Sequence, residues 1–303
     1  MKQKTRFWLL RWLGPVLLAL LLFRTDTQAL LEILAGAKLL NLIGAFLLIL
    51  PILFLRTVRW RSLLFPHAPA YGESLALYGF GVFAGTFTPG QVGEYGKAYF
   101  LSKRGVPLGK AVYATLLDRI LDFVFLLTFA GLFLPGLPLS TPVYVVLAAL
   151  LGFVLAFMGQ AIGGEVFNRP LFTWMPWHDK FCAILDKIGS NRVPNRQYGT
   201  AAFNSVLCWL LNWVAISLLA ASIGLKIPFV FVCGVMATCS LLSAIPISVL
   251  GIGTRDAALI FFLGSIGHGE PAALALSGLV LALRLAYMIP CALAVFFTKV
   301  SAS

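Results

Sequence analysis

The sequence predicts an all-α polytopic membrane protein, with about six full transmembrane helices plus two re-entrant helical hairpins in an inverted repeat. Three observations carry this reading. Of 303 residues, 60% are hydrophobic and only 11% are charged, a composition outside that of soluble domains. Several apolar runs approach the about 20 residues that a span needs. Two others, 75–87 and 229–244, are too short to span, and each runs into a stretch broken by proline and glycine.

Taken in order, residues 1–6 are a basic leader and 7–23 an apolar run interrupted by Arg11. With a charge inside the run and no A-x-A site after it, this reads as an uncleaved first span. Residues 39–55 form the second span, and Arg56, Arg59 and Arg61 follow it as flanking charge. The first broken stretch is Thr88-Pro89-Gly90-Gln91-Val92-Gly93-Glu94-Tyr95-Gly96-Lys97. Pro89 removes a backbone donor and Gly90 frees the dihedrals, so the helix arriving from 75 should stop there. A new helix should begin near Gly93. Irregular backbone at membrane depth persists only inside protein or beside a water-filled cavity, which makes the break a candidate site.

Residues 111–134 are a long span carrying Asp118, Arg119 and Asp122, and 143–158 are the next span. Residues 161–199, with Arg169, Lys180, Lys187, Arg192, Arg196, Trp174 and Trp177, read as a cytoplasmic amphipathic loop on anionic lipid rather than as a nucleic-acid surface. Residues 202–223 are a span. The second break runs from Pro246 through Gly251, Gly253, Arg255 and Asp256, then a half-helix at 257–266 and a last span at 272–297 with Arg284 in its middle.

The two breaks match. From Glu94 to Gly105 and from Asp256 to Gly267 the spacing is the same, a proline follows each glycine, and each following span holds an arginine, Arg119 or Arg284. This gives one integral membrane domain, 1–303, with repeat units at about 72–134 and 229–298. Paired broken segments point to a transporter site. Loop charge places both termini in the cytoplasm, because the basic groups at 56–61, 97–110 and 161–199 then fall on one side. The odd number of spans between the units inverts the second. The formal charge of +12 fits that bias and needs no nucleic acid. Five cysteines without a C-x-x-C pair read as small buried hydrophobes.

The candidate substrate-binding residues are Glu94, Lys97, Asp118, Arg119, Asp122, Arg255, Asp256 and Arg284, and the candidate helix breakers are Pro89, Gly90, Gly93, Pro246, Gly251 and Gly253. Ionisable groups at membrane depth are either paired struts or functional. Planar guanidiniums suit a phosphate, and half-helix starts at Gly93 and Thr254 would add backbone donors. No catalytic motif stands out. Asp118-x-x-x-Asp122 places two carboxylates on one helix face, as metal-dependent prenyl transfer needs, but the second Asp-rich motif of that chemistry is absent. No enzyme activity, metal or cofactor is expected.

The stretches Pro89-Gly90-x-x-Gly93-Glu94-x-x-Lys97, Leu116-Leu117-Asp118-Arg119-Ile120-Leu121-Asp122 and Ile245-Pro246-Ile247-Ser248 through Gly251-x-Gly253-x-Arg255-Asp256-Ala257-Ala258 resemble the lysylphosphatidylglycerol synthase transmembrane-region family, a flippase-like domain. Asp256 stands where the family usually shows Glu, and Leu250 where it shows Gly. The resemblance implies a multipass protein of the cytoplasmic (inner) membrane, of a kind often proposed to flip a modified lipid. The soluble aminoacyl-transferase domain of the full synthases is not part of the resemblance. Three functions stay open: a flippase or transporter for an anionic or modified lipid, phospholipid or polyprenyl-phosphate-linked; an integral membrane enzyme acting on a lipid headgroup; and an accessory partner of a synthase or glycosyltransferase.

Overall fold

The computed structural model describes residues 19–21, 23, 25–133, 151–152, 192–244 and 251–297. The regular structure there is helical: α1 (Thr27–Ala35), α2 (Leu39–Leu47), α3 (Ile49–Leu63), α4 (Tyr71–Phe87), a 3-10 segment (Pro89–Tyr95), α5 (Gly96–Ser102), α6 (Leu108–Phe133), α7 (Asn195–Ser222), α8 (Phe229–Ala244), α9 (Thr254–Gly264) and α10 (Glu270–Phe297). Among the described residues, three helical stretches are long and apolar enough to cross a membrane: Leu39–Leu63, Asn195–Ser222 and Glu270–Phe296. Most of the expected spans at 7–23 and 143–158, the 161–191 part of the 161–199 loop, and Pro246 lie outside the described residues, and the end of that loop, from Asn195, belongs to α7.

The first of these stretches corrects the sequence reading. Helix α3 runs on through Leu63, so Arg56, Arg59 and Arg61 stand on helix rather than in a loop. The rod bends at Leu48, just before Pro51, whose missing N–H leaves the Leu47 carbonyl without its helical donor.

The first break is a hairpin. Helix α4 has 17 residues, about 25 Å of rise. The chain then turns through the 3-10 segment and returns along α5, so that Arg104 pairs with Glu73 at the start of α4. The new helix begins at Gly96, three residues later than expected, because Pro89–Tyr95 wind as a 3-10 turn. Thr88 shapes that turn: its hydroxyl accepts from Gly93 N at 2.7 Å and donates to Ala84 O at 3.0 Å. Gln91 takes the left-handed conformation, φ +58°, without being glycine.

Helix α9 ends as α5 does. Gly105 (φ +87°) and Gly267 (φ +84°) both close their helices in the left-handed region that favours glycine. Packing between the halves is reciprocal. Helix α4 packs chiefly on α10, and α8 chiefly on α6, while α5 lies on α6 and α9 on α10. A Cβ added at Gly79 of α4 would sit 2.9 Å from Cys291 O, so the α4–α10 approach depends on that glycine.

Two apolar clusters hold the helices. One is built on α7 and α8 and includes Trp213, stacked on Phe125. The other surrounds Trp60, Tyr78 and Tyr113. The candidate site opens between them. Four cysteines, Cys208, Cys233, Cys239 and Cys291, are free and buried, the last three within these clusters; Cys182 lies outside the described residues.

Candidate functional site

A cavity of about 450 Å³ lies between the clusters, walled by α2, α3, α4, the 3-10 segment, α6, α7, α8 and α10. One part is apolar, with Ile49, Leu126, Ile216 and Leu283; the other presents Arg56, Glu94, Arg119, Asp122 and Arg284. An amphipathic hollow of this size suits a polar headgroup with the start of a hydrocarbon tail.

Behind the polar wall, six charged groups interlock. Arg59 donates from Nε to Asp118 Oδ1 at 2.7 Å and from Nη1 to Asp122 Oδ1 at 2.5 Å. Arg119 reaches Glu94 at 3.2 Å, Asp118 at 3.0 Å and Asp122 at 3.1 Å. Lys97 lies 3.6 Å from Glu94 and 3.5 Å from Asp118, with its ammonium over the rings of Tyr78 and Trp60. Trp209 adds an indole N–H to Asp122 at 2.9 Å. Three cations thus meet three carboxylates. Such a cluster holds α3, the first hairpin and α6 in one register, since a stranded member would be costly.

The sequence explains the geometry. Asp118 and Asp122 are one helical turn apart on α6, and the Arg119 guanidinium reaches both of them while its side chain, 18% exposed, lines the cavity. Glu94 and Lys97 need room against α4, and glycines supply it. A Cβ at Gly85 would fall 2.5 Å from Glu94 Cγ, and one at Gly81 would fall 2.8 Å from Lys97 Cδ. The Gln91 amide oxygen accepts from Arg119 at 3.4 Å on this wall.

The second break is built differently. Gly251 (φ +75°) and Gly253 (φ +82°) bring the backbone into α9. Asp256 accepts from Gly253 N at 2.7 Å, which caps the helix, and its other oxygen accepts from the Ser277 hydroxyl. Ser277 in turn accepts from Arg255 Nε at 2.9 Å, and Arg255 pairs with Asp256 at 3.6 Å. These two charges are buried beside α10 and do not line the cavity.

Of the expected site residues, Glu94, Arg119, Asp122 and Arg284 therefore reach the cavity. Lys97 and Asp118 form its backing, and Arg255 and Asp256 a separate buried pair. At the first of the two expected half-helix starts the backbone donor is already used, and at the second that of the residue before Thr254 is. The Gly93 N–H is taken by Thr88 and the Gly253 N–H by Asp256. Arg59 and Arg56 are members that sequence reading assigned to a cytoplasmic flank. Their i, i+3 spacing and the neighbouring Trp60 are the marks of a helix face rather than a loop. Arg56 lies over the rings of Trp209 and Tyr287, 5.4 and 5.9 Å from their centroids, and has no carboxylate within ion-pair distance among the described residues.

Comparison with curated proteins gives no match, and comparison with solved structures gives none. A family model, by contrast, covers nearly the whole chain. It matches residues 11–294 with the description "Lysylphosphatidylglycerol synthase TM region", and the chain belongs to that family of membrane proteins.

Proposed function

We propose that this protein translocates an anionic or modified lipid, a phospholipid or a polyprenyl-phosphate-linked lipid, across the cytoplasmic membrane. The carrying observation is the cavity, where an apolar wall and a cluster of arginines share one hollow between the two halves of the chain. Family membership supports lipid handling. The fold we propose has six spans and two re-entrant hairpins as an inverted repeat. The reciprocal packing of α4 on α10 and α8 on α6 supports it, as do the matching left-handed glycines at 105 and 267. Alternation would then come from one half rocking against the other about the cavity.

Both termini are placed in the cytoplasm. Arg59 and Lys97 are buried and leave the loop-charge argument, but Arg61, Lys103 and Arg104 keep its sign. The transporter reading is favoured over metal-dependent catalysis because both candidate metal carboxylates, Asp118 and Asp122, are engaged by guanidiniums. Partnership with a synthase or glycosyltransferase is a compatible proposal, since a translocator needs a supplier of its lipid.

The test is reconstitution of the purified chain in liposomes holding fluorescent headgroup-labelled anionic lipid, read by loss of reductant-accessible label. Translocation above empty liposomes is expected. Equal rates with and without protein, for phospholipid and polyprenyl phosphate alike, would overturn the reading.

A further inference from the structure

Arg119 is one of the two arginines that sequence comparison of the two halves marks for substrate, with Arg284, yet three carboxylates already surround it. Arg56 is different. Its guanidinium lines the cavity and lies against two aromatic rings. Its Nε and the Tyr287 hydroxyl beside it are buried and have no hydrogen-bond partner among the described residues. Buried donors of this kind are normally satisfied. Arg284 lines the same wall and lies within electrostatic range of Arg56.

The charge balance agrees. Among the described residues around the cavity and the second break, the cations Arg56, Arg59, Lys97, Arg119, Arg255 and Arg284 outnumber the acids Glu94, Asp118, Asp122 and Asp256. Each of the four carboxylates is within ion-pair distance of a cation other than Arg56. Trp209 holds Asp122 through its N–H and lies under the Arg56 guanidinium, so the indole bridges the paired acid and this arginine. Arg56 therefore meets the cavity with no carboxylate at ion-pair distance among the described residues. Guanidiniums satisfy a phosphate with parallel N–H···O bonds, and an aromatic bed keeps the fork oriented.

We propose that Arg56, with Arg284 and the Tyr287 hydroxyl, is the seat for a phosphate group in the cavity, and that Arg119 is a strut of the ion-pair cluster. This deepens the transporter reading and rests on it for the source of the phosphate, a lipid headgroup. The chemistry of the seat is that of a phosphate mono- or diester, with the hydrocarbon tail along Ile49, Leu126 and Leu283.

The experiment uses the full chain in a maltoside detergent and phosphate-free buffer, titrated calorimetrically with dioctanoyl phosphatidic acid, dioctanoylglycerol and inorganic phosphate. Wild-type protein is expected to bind the phosphatidic acid at least about tenfold more tightly than the phosphate-free glycerol. Arg56→Gln should lose about tenfold or more, and Arg56→Lys about three- to tenfold, because the charge remains but the fork does not. Both should melt where wild type does. Equal binding by Arg56→Gln and wild type overturns the seat. So does equal binding of the two lipids by wild type, a comparison that holds even if the variants fold poorly. Arg56-dependent binding of inorganic phosphate without phosphatidic acid binding supports a phosphate seat and removes the lipid as its source. The two proposals separate in proteoliposomes. Arg56-dependent binding without translocation ends the transporter reading and keeps the seat, whereas normal translocation by Arg56→Gln ends the seat and keeps the transporter.

Discussion

Arg59 and Asp118 form a fully buried ion pair at 2.7 Å that ties α3 to α6 across the core. Arg59 has a second acid within reach, Asp122, and the Ser205 hydroxyl of α7 accepts from it at 3.2 Å. One side chain thus fixes three helices. Arg59→Gln removes the closest cation from both carboxylates, leaving Asp118 to Lys97 and Arg119 and Asp122 to Arg119, and is expected to destabilise the protein by about 3 kcal/mol. Denaturation in detergent, with Arg61→Gln as the partly exposed comparison on the same helix, measures it.

Arg119 and Arg284 should part company when substituted. Arg119→Gln breaks contacts to three acids, so it should lower the melting temperature as well as transport. Arg284→Lys keeps the charge and loses the two-pronged geometry, and is expected to reduce transport while the protein stays folded. Measuring both properties on the same preparations decides the matter. Normal transport by folded Arg284→Gln would remove Arg284 from the substrate's path.

The hairpin turn tolerates no side chain at Gly93. An added Cβ would lie 2.3 Å from Ala84 O, a backbone atom that cannot swing aside. Gly93→Ala should cost about 1–3 kcal/mol or more. Gly131→Ala, in the same α6-bearing unit but with open space around it, should be neutral or stabilise by up to about 1 kcal/mol. Paired unfolding curves test this, and equal effects at the two sites would sink the packing argument.

Topology can be checked without a structure. In a background lacking the five native cysteines, single cysteines at Ser140 and Ser303 should label from opposite faces of the membrane. Labelling of both from one face would refute the six-span scheme.

Much of this architecture was legible in the residues. The bounds of α8 follow from the run ahead of the second break, and the first break stops α4 at the residue before Thr88. Proline and glycine act locally, so sequence alone reveals them. The acids and Arg119 of α6 were legible as charges that an apolar helix must explain. Arg59 was not, because an arginine after an apolar run looks the same whether the helix ends or continues. Only the distant partners Asp118 and Asp122 separate the two cases. Nor did the sequence separate a guanidinium caged by acids, Arg119, from one lying on aromatic rings, Arg56. That difference depends on which side chains converge from α7 and α10.

The reciprocal packing also governs how the protein is made. Helix α4 is synthesised well before the helix it packs against, α10. At about 5–20 residues per second, the close to 200 residues between them take about 10–40 s to translate. Throughout that interval the first hairpin must persist in the membrane without its main neighbour, held by the Arg59–Asp118–Arg119–Glu94 chain of charges, whose members are all translated before residue 123. The ion-pair cluster is thus an early scaffold, complete long before the cavity it borders has its second wall.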